Sequence, residues 1–231
     1  MRDALRLVRV LAVCLIPALL VASDAVGWSP ESTGPKGEVV ALLESSLVAV
    51  VESSFGPDVA AAPVFGFQCT GVLLAPGLVA TAAHCVQDRD HLVVLHGSTD
   101  LCETNGWQPY GVRVADQVLA TDTATLAVVG TAIPTETNHR IAQDTADTGT
   151  LFSRGWQKHE RSGAVRRDPE WVELAQCLPD RELIGCVVSA GHACSGLSGA
   201  PVFDYEGVLV GIMSKSFQCA DGLAWFGPLA G

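Results

Sequence analysis

Basic residues are scarce in this chain: 14 lysines and arginines stand against 25 aspartates and glutamates, a formal net charge of −11 over 231 residues. Neither a basic cluster nor a platform of stacking aromatics is present, aromatic residues making up only 6%. This excludes nucleic acid and anionic membrane surfaces as partners. No C-x-x-C pair and no H-E-x-x-H segment occurs. Zinc-finger and zinc-hydrolase chemistry therefore lack their ligands, and neither a metal nor any other cofactor is implied. Convincing helical periodicity is also rare. Long apolar runs are confined to the N-terminus, where Val10 to Ala22, interrupted by Pro17, falls short of the roughly 20 residues that span a bilayer.

That run has the parts of a secretory signal. Arg2, Arg6 and Arg9 supply a basic start, and Val21-Ala22-Ser23 supplies small residues for cleavage before Asp24. Residues 1–23 are thus expected to be removed with Cys14, taking three arginines and one aspartate and moving the net charge from −11 to −13. The remaining protein is expected to be secreted or periplasmic and not membrane-bound. Its cysteines, Cys69, Cys85, Cys102, Cys177, Cys186, Cys194 and Cys219, suit a disulfide framework in an oxidising compartment.

A hydrophobic fraction of 48% with 17% charged residues supplies ample core. Residues 24–46 begin rich in Gly, Pro and Ser and read as a flexible leader or short propeptide, with strand-like character from Val39. Short β-rich runs follow at Val48–Val51, Phe67–Leu74, Leu78–Thr81, Leu92–Leu95, Tyr110–Val118 and Thr125–Val129, the second and third flanking a Pro76-Gly77 turn. After a polar crossing beyond Pro134 the theme repeats at Thr150–Phe152, Gly155-Trp156, Trp171–Leu174, Cys186–Val188, Pro201–Phe203 and Gly207–Met213. An all-β domain over 47–231 is expected, in halves of about 47–134 and 135–231.

Chemistry concentrates in three stretches. In Cys194-Ser195-Gly196-Leu197-Ser198-Gly199-Ala200-Pro201 a serine sits among small residues that permit a tight turn, and the Gly196 and Ser198 amides could converge on one point as an oxyanion hole. Serine is too weakly acidic to act alone, and histidine is the natural base near neutral pH. His84, in Thr81-Ala82-Ala83-His84-Cys85, follows a strand end and precedes a cysteine able to pin its loop. The orienting carboxylate belongs at the mouth of an apolar strand, where Asp122-Thr123-Ala124-Thr125-Leu126 places Asp122. Asp100 and Asp116 are its competitors.

With Gly211-Ile212-Met213-Ser214 downstream, these motifs in this order resemble the chymotrypsin/trypsin-like serine proteases, in particular their secreted bacterial type, from about Val48 to Gly222. The resemblance implies two six-stranded antiparallel β-barrels with a cleft between them. It implies an endopeptidase acting on protein or peptide substrates, with Ser198 as nucleophile, His84 as base and Asp122 orienting it. Implied disulfides are Cys69–Cys85, Cys177–Cys186 and Cys194–Cys219. Cys102 is left unpaired, either as a buried thiol or as a bridge to another molecule. The implied substrate pocket is His192 at its base with Ala193, Ser195, Ser214, Lys215 and Ser216. That lining favours small, polar or acidic side chains unless Asp221 enters it.

The chain departs from the family at several points. Leu197 stands where an Asp usually captures a newly cut N-terminus, and no Arg-Ile-Val-Gly-Gly-like activation site occurs near residues 24–52. Lys215 replaces an aromatic, and the residues after Trp225 do not supply the usual closing helix, so that either the helix has been lost or the sequence is incomplete. These departures sustain a second reading, a catalytically inactive binding protein on a protease fold.

Overall fold

In the computed structural model the chain divides into two units, Met1–Gly34 and Pro35–Gly231. The structure describes residues 37–52, 67–89, 91–102, 106–135, 139–142, 149–158, 168–217 and 222–229, all within the second unit. The expected signal segment lies outside the described residues, as do Cys14, Cys219 and Asp221.

Twelve strands form two closed, six-stranded antiparallel barrels. Barrel 1 comprises β1 (Leu47–Glu52), β2 (Phe67–Ala75), β3 (Leu78–Ala82), β4 (Leu92–His96), β5 (Gln108–Val118) and β6 (Thr123–Val128), closed in the order β1-β2-β3-β6-β5-β4. Barrel 2 comprises β7 (Leu151–Gly155), β8 (Glu170–Asp180), β9 (Leu183–Ala190), β10 (Pro201–Phe203), β11 (Leu209–Phe217) and β12 (Leu223–Pro228), closed as β10-β11-β12-β9-β8-β7. Closure pairs each of these strands on both sides, so that neither barrel has an open sheet edge among the described residues. The all-β double barrel expected from the sequence is what the chain forms. Among the described residues no helix is long and apolar enough to cross a membrane.

Strand alternation explains how two cores and an interface come from one set of strands. Along β2, Cys69 and Leu73 point into barrel 1 with Val48, Val50, Val79 and Leu126, while Val72 points out toward barrel 2. There it meets Ala80 of β3 and Phe203, Leu209 and Ile212 of β10 and β11, all fully buried. β2 is therefore buried on both faces, which is why its sequence reads as a near-continuous apolar run. Leu151, Val172, Leu174, Val202, Met213 and Phe226 fill barrel 2.

The runs expected at Thr150–Phe152 and Gly155-Trp156 are a single strand, β7, and two further elements differ from the sequence expectation. Gly37–Ser46, at the end of the supposed flexible leader, forms a helix, α1, and the strand expected from Val39 begins only at Leu47. Ala41, Leu42, Leu43 and Glu44 are good helix formers, and that local preference outweighs the β-branched Val39-Val40 pair. The helix end is tied down by Glu44, 2.8 Å from the Arg154 guanidinium, and by the Ser45 carbonyl, which accepts from His96 Nε2 at 2.9 Å. The second difference is β12. It pairs Phe226 with Met213 and with Ile184, and so supplies the strand that closes barrel 2. Gly227 sits so close to the Thr121 carbonyl that a Cβ would collide with it.

Disulfides join Cys69 to Cys85 and Cys177 to Cys186. Cys102 and Cys194 are disulfide-bonded as well, so the expectation of an unpaired Cys102 is corrected: its sulfur is oxidised like the others. The expected partner of Cys194, Cys219, lies outside the described residues.

His139 is buried, its ring 5.4 Å from that of Phe203, and neither ring nitrogen has a hydrogen-bond partner among the described residues. Burial pushes its pKa down to about 4. An unfolded histidine protonates near 6.5, so between these values the unfolded chain binds the proton and the folded one does not. His139 thus contributes stability that is complete above pH 6.5 and lost as the pH falls toward about 4, an effect of roughly 3 kcal/mol. Urea unfolding between pH 7 and pH 4 should show this slope, flattened in His139→Leu. An equal slope in both proteins would refute the assignment.

Candidate active site

The mouth of β6 carries Asp122 in a left-handed conformation, φ 50°, which aspartate tolerates better than most residues. Its carbonyl accepts from the Ala83 amide at 3.0 Å, and its Oδ1 accepts from the His84 amide at 3.0 Å. Together these hold the 3-10 turn Ala83–Cys85 that follows β3. The Cys69–Cys85 disulfide pins the same turn to β2. The imidazole is thereby delivered to the carboxylate, with His84 Nδ1 2.7 Å from Asp122 Oδ2.

Barrel 2 reaches the same carboxylate. The register of β11 against β12 slips between Met213 and Lys215, leaving Ser214 as the extra residue of a bulge. Bulges re-aim side chains, and here the Ser214 hydroxyl donates to Asp122 Oδ2 at 2.6 Å. Burial works against charge on Asp122. The hydrogen bonds from the His84 ring, the Ser214 hydroxyl and the His84 amide, together with the nearby imidazole, more than offset it, so the carboxyl is held below its usual range. It is an anion at neutral pH.

Ser198 lies half-buried in the loop before β10. Gly199, at φ +83°, directs its amide to the Met213 carbonyl at 2.7 Å, and a Cβ there would collide with the Thr70 carbonyl and the Thr81 hydroxyl. Only glycine fits after this serine. The Ser198 hydroxyl donates to the Ser214 carbonyl at 3.2 Å rather than to His84. Ser214 therefore touches both ends of the site, with its carbonyl on Ser198 and its hydroxyl on Asp122.

The loop's peptide planes are oriented by what their carbonyls hold, because N–H and C=O of a trans peptide point in opposite directions. The Ser195 carbonyl accepts from the Lys158 amide at 2.6 Å, turning the Gly196 N–H the other way. The Leu197 carbonyl accepts from the Ala200 amide at 2.9 Å, which does the same for the Ser198 N–H. Neither of these two amides has an acceptor among the described residues. Leu197 itself is 1% exposed and packs in the barrel 2 core with Ala193 and Ala200.

The residues expected to line a substrate pocket have different surroundings. Ser214 turns its hydroxyl to Asp122, and Ala193 belongs to the barrel 2 core. His192 and Ser195 are exposed. Lys215 is exposed with its ammonium 5.5 Å from the Trp225 ring centroid. Ser216 pairs with Ala224 through the β11–β12 ladder. The competitors Asp100 and Asp116 lie elsewhere: Asp100 Oδ1 accepts from the Cys102 amide, and Asp116 is exposed on β5. Cys69, His84 and Cys85 bring ligand-type atoms within 4.8 Å of one another, but the disulfide consumes both thiols.

Two barrels that meet around an aspartate-held histidine and a serine in a glycine-flanked loop define the chymotrypsin-like class of two-barrel proteins. The family model described as Trypsin matches residues 52–226. The chain belongs to the trypsin family. A trypsin of Squalus acanthias is 26% identical over 181 residues, 66% of this chain and 76% of that protein. Human heparin binding protein has a similar fold, with a TM-score of 0.66 at 21% identity, covering 81% of this chain and 87% of that one. The Rv3671c protease of M. tuberculosis in its inactive form matches with a TM-score of 0.60 at 19% identity, covering 87% and 92%.

The Ser214 hydroxyl can be tested directly. Ser214→Ala should move the Asp122 carboxyl titration up toward the ordinary range and cost about 1.5–3 kcal/mol at pH 7. The stability that Asp122 contributes is present above the unfolded pKa near 3.9 and lost as the pH falls through its lower folded value. Carboxyl carbon shifts followed by NMR against pH, with thermal melts, check both effects. An unchanged titration in the variant would remove Ser214 from this role.

Proposed function

We propose that the chain is a secreted serine endopeptidase that cleaves peptide bonds through Ser198, His84 and Asp122. The observation that carries this reading is the unbroken chain of contacts from His84 through Asp122 and Ser214 to Ser198, drawn from both barrels. In the reaction Ser198 Oγ, turned from the Ser214 carbonyl by rotation about its side-chain bond, attacks the scissile carbonyl carbon. His84 Nε2 takes the hydroxyl proton and later gives it to the leaving amine. Asp122, kept ionised, fixes the Nδ1–H tautomer and stabilises the imidazolium. The Gly196 and Ser198 amides receive the oxyanion, each worth about 3–4 kcal/mol in comparable chemistry. Water, activated by the same histidine, then releases the acyl group. The basic, apolar N-terminus and the oxidised cysteines support secretion.

A second reading, an inactive binding protein, draws on the Ser198 hydroxyl facing Ser214 and on the fold likeness to human heparin binding protein. A net charge of −11 opposes polyanion binding by this chain. Labelling with a fluorophosphonate probe separates the two readings. Wild type should react at Ser198, and Ser198→Ala should not. Ser198→Ala and His84→Ala should each lower hydrolysis by several orders of magnitude, with the double variant little worse. Near-normal turnover in Ser198→Ala would exclude this mechanism.

Burial of Leu197 in the barrel 2 core leaves no carboxylate there to bind an α-amino group. Chains beginning at Asp24 or a few residues later should accordingly have similar activity, compared by active-site titration and turnover. A sharp gain after one specific cleavage, abolished by acetylating the new amine, would contradict this.

A further inference from the structure

Resting on the hydrolase reading above, we propose that Thr70 is a positioning residue that fixes the oxyanion loop from the opposite barrel. Four consecutive loop carbonyls, those of Ser195, Gly196, Leu197 and Ser198, are each held by a donor. Two of the donors come from barrel 2 itself: the Lys158 amide on Ser195 and the Ala200 amide on Leu197. Thr70 supplies the other two. Its amide donates to the Ser198 carbonyl at 2.9 Å, and its hydroxyl donates to the Gly196 carbonyl at 3.2 Å.

The direction of the hydroxyl is set by its surroundings. Thr70 Oγ1 accepts the Trp156 amide at 3.1 Å, so its own proton is left for the Gly196 carbonyl. The Thr70 carbonyl accepts from the Thr81 hydroxyl at 2.8 Å, fixing the peptide from the far side. Thr70 is fully buried on β2, on the face it shares with Val72 at the barrel interface. No water competes there, and either bond lost leaves an unpaired buried group. Gly155 has no side chain in the space that Thr70 Oγ1, Ala200 Cβ and Leu197 Cδ1 approach, since a Cβ would lie 2.8–3.1 Å from all three. Thr70 therefore holds the Gly196 and Ser198 carbonyls, whose peptides alternate along the loop with the two that carry the Gly196 and Ser198 amides. In a loop whose anchor is an apolar side chain, this hydroxyl on the carbonyl and the Cys194 carbonyl on the Leu197 amide, at 3.2 Å each, are the polar contacts that define the rotation of the Gly196–Leu197 peptide.

The test uses the full-length secreted protein and a fluorophosphonate probe, with inactivation rate constant, probe affinity and reactive fraction measured separately. Thr70→Val removes the hydroxyl but keeps the shape and the backbone amide. It should lower the inactivation rate constant by roughly 10–100-fold with probe affinity nearly unchanged, and p-nitrophenyl acetate turnover should fall in parallel. Thr70→Ser should restore both to within a few-fold of wild type. Should Thr70→Val not accumulate as folded protein, Thr70→Ala makes the same comparison. A variant that loses only reactive fraction or melting temperature, with an unchanged rate constant, shows a merely structural threonine and overturns the proposal. Failure of Thr70→Ser to rescue overturns it as well. Wild type that reacts no more than Ser198→Ala would instead remove the hydrolase reading and this proposal with it.

Discussion

The Ser214–Asp122 hydrogen bond is the contact through which the two halves of the site become one object. Asp122 stands on a loop of barrel 1 and Ser214 on a bulged strand of barrel 2, and at 2.6 Å a hydroxyl and a charged carboxylate form a strong pair. Without that partner the carboxylate would carry the cost of its partial burial on the His84 contacts alone. With it, the anion is stable, the imidazole is oriented, and the strand bearing Ser214 is placed where its carbonyl meets Ser198.

The remaining architecture serves that junction by ordinary packing. A small apolar interface, with Val72 and Ala80 on one side and Phe203, Leu209 and Ile212 on the other, brings the barrels together without specifying register finely. Fine placement is supplied by directional bonds across it: the Thr70 amide to the Ser198 carbonyl, the Thr70 hydroxyl to the Gly196 carbonyl, and the contacts on Asp122. Such a division is expected, since burial is non-directional and hydrogen bonds are not.

Leu197 shows how a loop can be anchored without charge. At 1% exposure its side chain is held by core packing worth roughly 1.5–3 kcal/mol, an anchor present as soon as barrel 2 folds. The loop then needs polar contacts only to orient its peptides: its carbonyls are held by Lys158, Ala200 and Thr70, and its Leu197 and Gly199 amides by the Cys194 and Met213 carbonyls.

Much of the site was legible in the residues because its signals are local. Ser198 and His84 stand out through their immediate neighbours: Gly196 and Gly199 around one, a strand end and a pinned Cys85 around the other. The barrels were legible because period-two patterning and turn residues recur along the chain. Locally ambiguous segments were not, such as Gly37–Ser46, where helix propensity and docking on Arg154 and His96 outweighed two valines. The closing strand β12 also escaped notice, because a barrel's last strand is defined by two partners far away in sequence, β11 and β9. For the same reason neither the bond from Ser214 to Asp122 nor the contacts of Thr70 are legible in the sequence. A serine's hydroxyl direction depends on a bulge in the ladder, and a threonine on an apolar strand looks like filler until the opposite barrel presents a carbonyl to it. Composition and short motifs determined which residues could do chemistry; only the closure of two barrels against each other decided which hydroxyls would hold them in place, because those bonds join residues 92 and 126 positions apart.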